Sequence, residues 1–467
     1  MGKIVKRIIS VTAFVLTLAV VLGYVMSVLS WKNGYGLKSW DNFYELKDTQ
    51  VDVLTFGSSH NMCSINYGIW YRNYGIAGLS ASGISLGMRS TYYFIKEALN
   101  YQKPEVILLE VVYTVWDDVD YTSQEEAMAL NYSQARNELI DSLYEDESDR
   151  MNYKLKFPMY HNRYWELTRE DFEGFNDYSM GYYGTFNFYT DGKPNFYENV
   201  EPIAIDASKE EYLRMIIEMV KREGINLVLY VAPYNMQCPE EEWAQLDYVE
   251  QIAREYNVPM LNFNKMTDEL GIDFAMDYAD THHLNVFGGE KLTAYLGEYL
   301  TENYNIPDRR GEKGYEKWVT CYEYYVRDKA MYTLKWTPYM EDYLPYLNDR
   351  DYVVAVAFKG EDYMNVFTEE MYQGFELLGL DRTMVDSLID GIVVVENGNI
   401  LYNSLENQEV WCYDNYGADI WVRDGVLIAE GYDIIGEDNG IYILVYDKVK
   451  QETADSVMFS PYNGFYK

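Results

Sequence analysis

The sequence predicts an α/β fold, in which a parallel sheet flanked by helices follows an apolar anchor and precedes a smaller α+β domain. Between Val51 and Tyr304, short β-branched runs alternate with amphipathic stretches. That alternation marks βαβ units and a parallel sheet with helices on both faces. Residues 8–31 form an unbroken uncharged run rich in Val, Leu and Ile. From about Asp351 the rhythm changes to strands with tight turns, among them the strong two-residue hairpin turn Asn397-Gly398.

The apolar run follows Lys3, Lys6 and Arg7 and precedes Lys32. A helix of this length spans the ~30 Å hydrocarbon layer with some tilt. The positive cluster stays in the cytoplasm, which places everything after Trp31 outside. The competing reading is a cleaved signal peptide, whose apolar region is normally about 7–15 residues long and ends at an A-x-A-like site. This run is longer, and its best small-residue candidate, Ser30 preceded by Val28, is poor. A single-pass, uncleaved anchor over residues 1–31 is the expectation, with residues 8–31 in the bilayer.

In the domain expected over residues 32–308, Val51–Phe56, Glu105–Val112, Asn226–Val231 and Pro259–Phe263 read as strands. Helical stretches run from near Ser82 to Asn100, from Lys209 to Glu223, from Glu240 to Tyr256 and from about Val286 to Asn303. Residues 117–208 break the rhythm: they are acidic and aromatic, with few long apolar repeats. An insertion of that length is usually functional, and it reads as a lid or partner-binding region. Residues 309–350 read as a charged, Tyr-rich connector, and residues 351–467 as a compact α+β module.

Composition excludes some functions. The chain has 467 residues, 38 of them basic and 75 acidic, for a net charge of −37. Phosphate would repel such a chain, and it lacks the cations that release counterions, so nucleic acid is not a partner. The four cysteines, Cys63, Cys238, Cys321 and Cys412, show no C-x-x-C spacing. Zinc and redox motifs are therefore not expected, while one or two disulfides remain open. No cofactor and no metal are predicted. Most of the 49 tyrosines belong to cores and a minority to contact surfaces.

The candidate chemistry lies in two short stretches. Phe56-Gly-Ser-Ser-His60 falls where a parallel strand ends, the edge at which open α/β sheets place their sites. Near the far end of the domain, Asp280-Thr-His-His283 precedes the last helix, and its three-residue spacing lets a carboxylate hold an imidazole Nδ1–H. Each piece alone is commonplace, since Gly-Ser-Ser often caps a helix. The conjunction of strand context and chain order counts for more, because the chain holds only His60, His161, His282 and His283 to serve as base.

Over roughly residues 50–305 these blocks resemble the SGNH (GDSL-like) hydrolase superfamily. The nearer likeness is its membrane-tethered branch of DltD-like proteins and partners of membrane-bound O-acyltransferases. The resemblance implies Ser59 as nucleophile, with Ser58 in place of the usual Asp, and Asp280 and His283 as its partners. Asn73-Tyr-Gly-Ile-Ala-Gly78 looks like the second block, so the N–H groups of Ser59 and Gly78 are the expected oxyanion donors. After the Val106–Val112 strand the family often has Gly-x-Asn-Asp, but here the text is Glu110-Val-Val-Tyr113-Thr114. The Tyr113 or Thr114 hydroxyl is the expected substitute, and His60 and Glu110 are expected to line the site or support it.

The tethered transferases also lack that block, which favours acyl transfer over hydrolysis. The implied substrate is a cell-envelope glycan or polymer, with a membrane-bound O-acyltransferase as partner. The alternative is a degenerate SGNH fold that binds envelope carbohydrate or serves assembly. Tyr160–Trp165 of the insertion reads as an aromatic cluster. Asp438–Asp447 and Asp455–Phe459 resemble the interleukin-like EMT inducer (GG) domain, which implies a carbohydrate-associated accessory module.

Overall fold

The computed structural model describes residues 2–31, 34–117, 128–173, 177–192, 194–197, 200–407, 409–463, 465 and 467. The chain divides into two compact units, Met1–Tyr322 and Glu323–Lys467, and the division falls within the helix Glu316–Trp336.

The first unit opens with the helix Gly2–Leu29, whose stretch Ile4–Leu29 has a mean hydropathy of 2.4 and is long and apolar enough to cross a membrane. A five-stranded sheet follows, built from β1 (Val53–Phe56), β2 (Gly78–Ser80), β3 (Val106–Glu110), β4 (Asn226–Val231) and β5 (Met260–Asn262). All its pairings are parallel and the strand order is β2-β1-β3-β4-β5. Strands β1, β2 and β3 are buried along their whole length, so both sheet faces are covered. That is why the sequence shows continuous apolar runs here and not alternation.

Order and handedness fix which helix covers which face. The crossover from β1 to β2 runs one way along the sheet, and the crossover from β2 to β3 returns past β1. Right-handed crossovers therefore put their helices on opposite faces. The helix Tyr67–Tyr74 packs with Val286–Asn303, while Met88–Ala98 packs with Ala207–Arg222. Tight helix contacts need small residues: a Cβ on Gly297 would lie 2.4 Å from the Tyr74 ring, and one on Gly68 2.6 Å from the Tyr322 nitrogen.

The second unit is a three-layer α+β module. A sheet of order β14-β13-β6-β7-β8 is formed by β6 (Tyr352–Lys359), β7 (Ile392–Glu396), β8 (Asn399–Asn403), β13 (Gly440–Asp447) and β14 (Glu452–Phe459), all antiparallel. Alternation along β6 splits its side chains between two cores. Val354, Val356 and Phe358 join one with Phe375 of the helix Glu369–Leu377. Val353, Ala355 and Ala357 join the other with Ile420, Val422 and Leu427. The last three belong to a second, four-stranded sheet of β9 (Trp411–Tyr413), β10 (Ile420–Arg423), β11 (Val426–Ala429) and β12 (Tyr432–Asp433). The sequence reading does not anticipate that sheet, because its strands are only two to four residues long.

In the same unit Arg327 donates to Asp447 through Nε and to Asp349 through a terminal nitrogen, each at 2.6 Å, and its guanidinium lies 4.4 Å from the Tyr352 ring centre. Asp447 is fully buried. Replacing Arg327 by Met strands that carboxylate, and the expected cost is about 3–5 kcal/mol. Hydrogen exchange at the β13 amides reads this loss. The exposed pair Arg423–Asp424 serves as the control, since its removal costs less than about 1 kcal/mol.

Candidate active site

The site is assembled at the carboxyl ends of β1 and β3, where the strand order reverses and open α/β sheets hold their ligands. Gly57 turns the chain sharply out of β1 with a φ of 145°, and a Cβ there would lie 2.6 Å from the Glu110 Cβ. Only glycine satisfies both demands. Ser58 then caps the helix Ser59–Ser64: its Oγ accepts from the His60 N–H at 3.2 Å and its carbonyl from Asn61 at 3.1 Å. Ser59 is thereby placed on the first turn, half-buried, with its own N–H directed away from any partner within that helix.

The partner of Ser59 comes from the other end of the domain. His283 Nε2 lies 2.8 Å from Ser59 Oγ, and His283 Nδ1 lies 2.9 Å from Asp280 Oδ2 and 3.1 Å from Oδ1. With the ring proton on Nδ1 and donated to Asp280, Nε2 is left to accept the serine O–H. Partial burial works against ionisation of Asp280. The His283 hydrogen bond and the backbone N–H groups of His282 and His283 outweigh it and hold the carboxyl below the ordinary range.

Buried Asn285 fixes this loop. Its oxygen caps the helix Val286–Asn303 by accepting from Phe287 and Gly288, while its amide donates to the carbonyls of Met276 and Asn187. A single bridge between Tyr278 and Leu284 closes the base of the turn.

The other expected residues divide. His60 is buried, with its ring centre 5.1 Å from that of His283 and 4.9 Å from that of Trp116. Burial, followed by the neighbouring imidazoles, holds His60 neutral well below its usual pKa, and its Nδ1 has no partner among the described residues. His282 is likewise shifted down, by partial burial and then by His283, and its Nδ1 pairs with the Thr281 hydroxyl at 2.7 Å.

Glu110 sits beneath the turn and makes no ion pair with an arginine among the described residues. It accepts the Val112 N–H at 3.0 Å and meets the Ser58 hydroxyl at 3.3 Å. Tyr113 is buried on the turn after β3, with its ring 6.2 Å from Trp116. The Thr114 hydroxyl donates to the Val111 carbonyl at 2.6 Å, so it caps its own turn and does not serve as an oxyanion donor.

Gly78 also requires correction. It opens β2 in register with Val53, at the amino end of the sheet, about 15 Å of strand below Ser58. Its lack of a side chain serves packing, since a Cβ would lie 2.7 Å from the Trp70 ring. The segment that reaches Gly57 is the one after β2: Ala81 donates to the Thr55 carbonyl at 2.9 Å and Gly83 to the Gly57 carbonyl at 3.2 Å. The sequence reading overlooks the three-residue β2 and so takes Gly78 for a donor beside Ser59.

Sequence reasoning also missed Asn61 and Trp116. The fully buried Asn61 amide reaches Thr55, Ser80 and Ser82 at 2.7–2.9 Å and its oxygen accepts from Tyr230 at 2.5 Å, which links β1, β2 and β4 under the helix that carries Ser59. Its position two residues after Ser59 is the one signal that could have found it. Trp116 joins His60, His282 and Tyr234 in an aromatic wall, with its indole N–H bonded to Glu242 at 2.9 Å.

From the insertion, Tyr183 donates to the Met62 carbonyl, Tyr189 to that of Tyr278, and Thr185 accepts from Val286, so part of it straps both halves of the site. Ten of its residues, 118–127, lie outside the described residues, as do 174–176, 193 and 198–199. All four cysteines are free, and burial with the nearby Asp280 pushes the Cys63 thiol up to about 12, so it is no rival nucleophile. No group of three or more His, Cys, Asp or Glu is placed to hold a metal among the described residues. Among known proteins, the chain matches no family model and no curated relative.

Glu110 makes a testable contribution to stability. Burial raises its carboxyl from 4.5 to about 8, against the hydrogen bonds from Val112 and Ser58. The folded chain thus binds a proton that the unfolded chain releases, so this stabilisation is complete below pH 4.5 and is lost as the pH rises through about 8. His60 has the opposite sign and penalises folding only below pH 6.5. Between 6.5 and 8 Glu110 lowers unfolding free energy by up to about 1.4 kcal/mol per pH unit, and Lys156, which burial lowers to about 8, opposes it only toward the upper end of that window. Thermal melts across that window are expected to show the fall in the native chain and its absence in Glu110→Gln.

Proposed function

We propose that the protein is a membrane-anchored, outward-facing acyl-ester enzyme of SGNH type, acting on a cell-envelope glycan or polymer. The observation that supports this best is the line from Ser59 Oγ through the His283 ring to Asp280, with contacts of 2.8 and 2.9 Å. Ser59 Oγ attacks the acyl carbonyl carbon while His283 Nε2 takes the hydroxyl proton, giving a tetrahedral oxyanion. Collapse breaks the ester bond, and the departing alcohol oxygen takes the proton from His283. An acceptor hydroxyl then gives its proton to His283 and attacks the acyl-serine. That second attack transfers the acyl group and restores Ser59.

With the Gly78 and Thr114 donors removed, the Ser59 N–H and the Tyr113 hydroxyl are the remaining assigned donors to the oxyanion. One lost donor is worth ~3 kcal/mol of transition-state stabilisation. That loss slows attack by water and by an acceptor hydroxyl alike, so it is the anchoring beside a donor that favours transfer over hydrolysis. Anchoring through residues 8–31 raises the effective concentration of enzyme near a membrane acyl donor, such as one presented by a membrane-bound O-acyltransferase. The net charge of −37 favours a neutral polysaccharide over a polyanion as acceptor.

The test is covalent labelling of the full-length chain by a fluorophosphonate probe, together with mass spectrometry of envelope glycans. Ser59→Ala should abolish labelling, and His283→Ala and Asp280→Asn should slow it by about a thousandfold or more. Glycans from cells carrying Ser59→Ala should lose the O-acyl group. A native chain that ignores the probe, with unchanged glycan acylation in the variant, overturns the reading and leaves a non-catalytic envelope-binding module.

A further inference from the structure

We propose that part of the insertion is a membrane-docking surface that rests on the outer face of the bilayer beside the apolar helix. Its residues meet that helix where it ends. The Arg163 guanidinium donates to the Leu29 carbonyl at 2.6 Å, one of the orphan carbonyls of the last turn, and the Tyr160 ring meets Trp31 edge-on at 5.8 Å. The short helices Phe157–Tyr160 and Arg169–Glu173 both touch the helix Gly2–Leu29.

Around this junction the surface is unlike the rest of the chain. Met151 and Leu155, four residues apart on one helix, are exposed, and so are Phe157, Tyr164, Trp165 and Phe172, with Trp165 at 81%. Large apolar side chains so closely grouped mark an interaction site. Position identifies the occupant, since the patch adjoins the end of a helix apolar enough to cross a bilayer. Basic residues are interleaved with the apolar ones, Lys154 being paired with Asp141 and Arg163 with Asp171 and Glu166. Arg150 hydrogen-bonds the carbonyls of Tyr144 and Glu145, while Lys156 turns inward to those of Met128 and Leu130.

Exposed Trp, Tyr, Phe and Leu mixed with Lys and Arg is the composition of an interfacial segment, whose rings sit at headgroup level and whose cations attract anionic lipid. Continuity with a helix apolar enough to cross the same bilayer completes the argument, and the proposal rests on that helix spanning. Because another part of the insertion bonds to Met62 and Tyr278, docking would set the height of Ser59 above the membrane.

The test uses the full chain in vesicles of phosphatidylcholine and phosphatidylglycerol, with an environment-sensitive fluorophore on a single cysteine and Cys412→Ser removing the exposed native thiol. Trp165→Cys and Met151→Cys report the surface, and Leu16→Cys reports the span. Docking predicts blue-shifted emission at 165 and 151, most of which is lost when nitroxide-headgroup lipid is added. Water-like, unquenched emission at both, with a buried signal at 16, overturns docking while the span stands. Blue-shifted emission that nitroxide lipid does not quench also overturns it and assigns the patch to a second copy of the chain. Neither result bears on whether Ser59 takes the fluorophosphonate, so the catalytic reading stands or falls separately.

Discussion

The hydrogen bond between Ser59 and His283 closes a loop of 224 residues, and the domain is organised around holding its two ends together. A contact of that sequence separation cannot form from local preference, because chain entropy opposes it until the sheet is complete. The ends are therefore clamped independently. Ser59 is set by a glycine turn and by the buried amide of Asn61, which gathers hydroxyls from neighbouring strands. His283 is set by Asp280 from one side and, through its loop, by Asn285. Asn61 and Asn285 are buried polar groups with their hydrogen bonds made, the arrangement in which low dielectric rigidifies a site.

The aromatic and imidazole shell has a consistent electrostatic sense. Burial keeps His60 neutral and keeps the Cys63 thiol protonated, and it favours the protonated form of Glu110 at neutral pH. Asp280 is the one neighbour of His283 in this group that hydrogen bonds hold in the charged form. A single fixed negative charge behind the imidazole is what a base needs if it is to accept a proton from a hydroxyl. Neutral neighbours avoid competing for that charge.

Much of this was legible in the residues. Four of the five parallel strands showed themselves as apolar runs beside turn residues, and the Asn397-Gly398 hairpin lies between β7 and β8. The fifth, β2, did not, since three residues starting with glycine carry no periodic signal. That omission shifted the reading of the second block to Gly78, which packs under Trp70. Thr114 was plausible by position, but its hydroxyl is used by its own turn. Glu110 was placed beside the site by its position at the strand end, and burial leaves it hydrogen-bonded to Ser58 and Val112. The sheet β9–β12 escaped notice because its strands alternate over only two to four residues.

The amino-acid sequence by itself determined the apolar helix, the parallel α/β alternation, the strong negative charge and the pair of stretches that bear Ser59 and His283. These are local properties, set by side-chain hydrophobicity over windows of a few turns or strands. Only the tertiary structure decided that Nε2 faces Oγ, that the segment beside Gly57 follows β2, and that exposed aromatic residues gather at the end of the apolar helix. Such outcomes depend on register and on packing between segments hundreds of residues apart, and neither leaves a mark on the residues nearby.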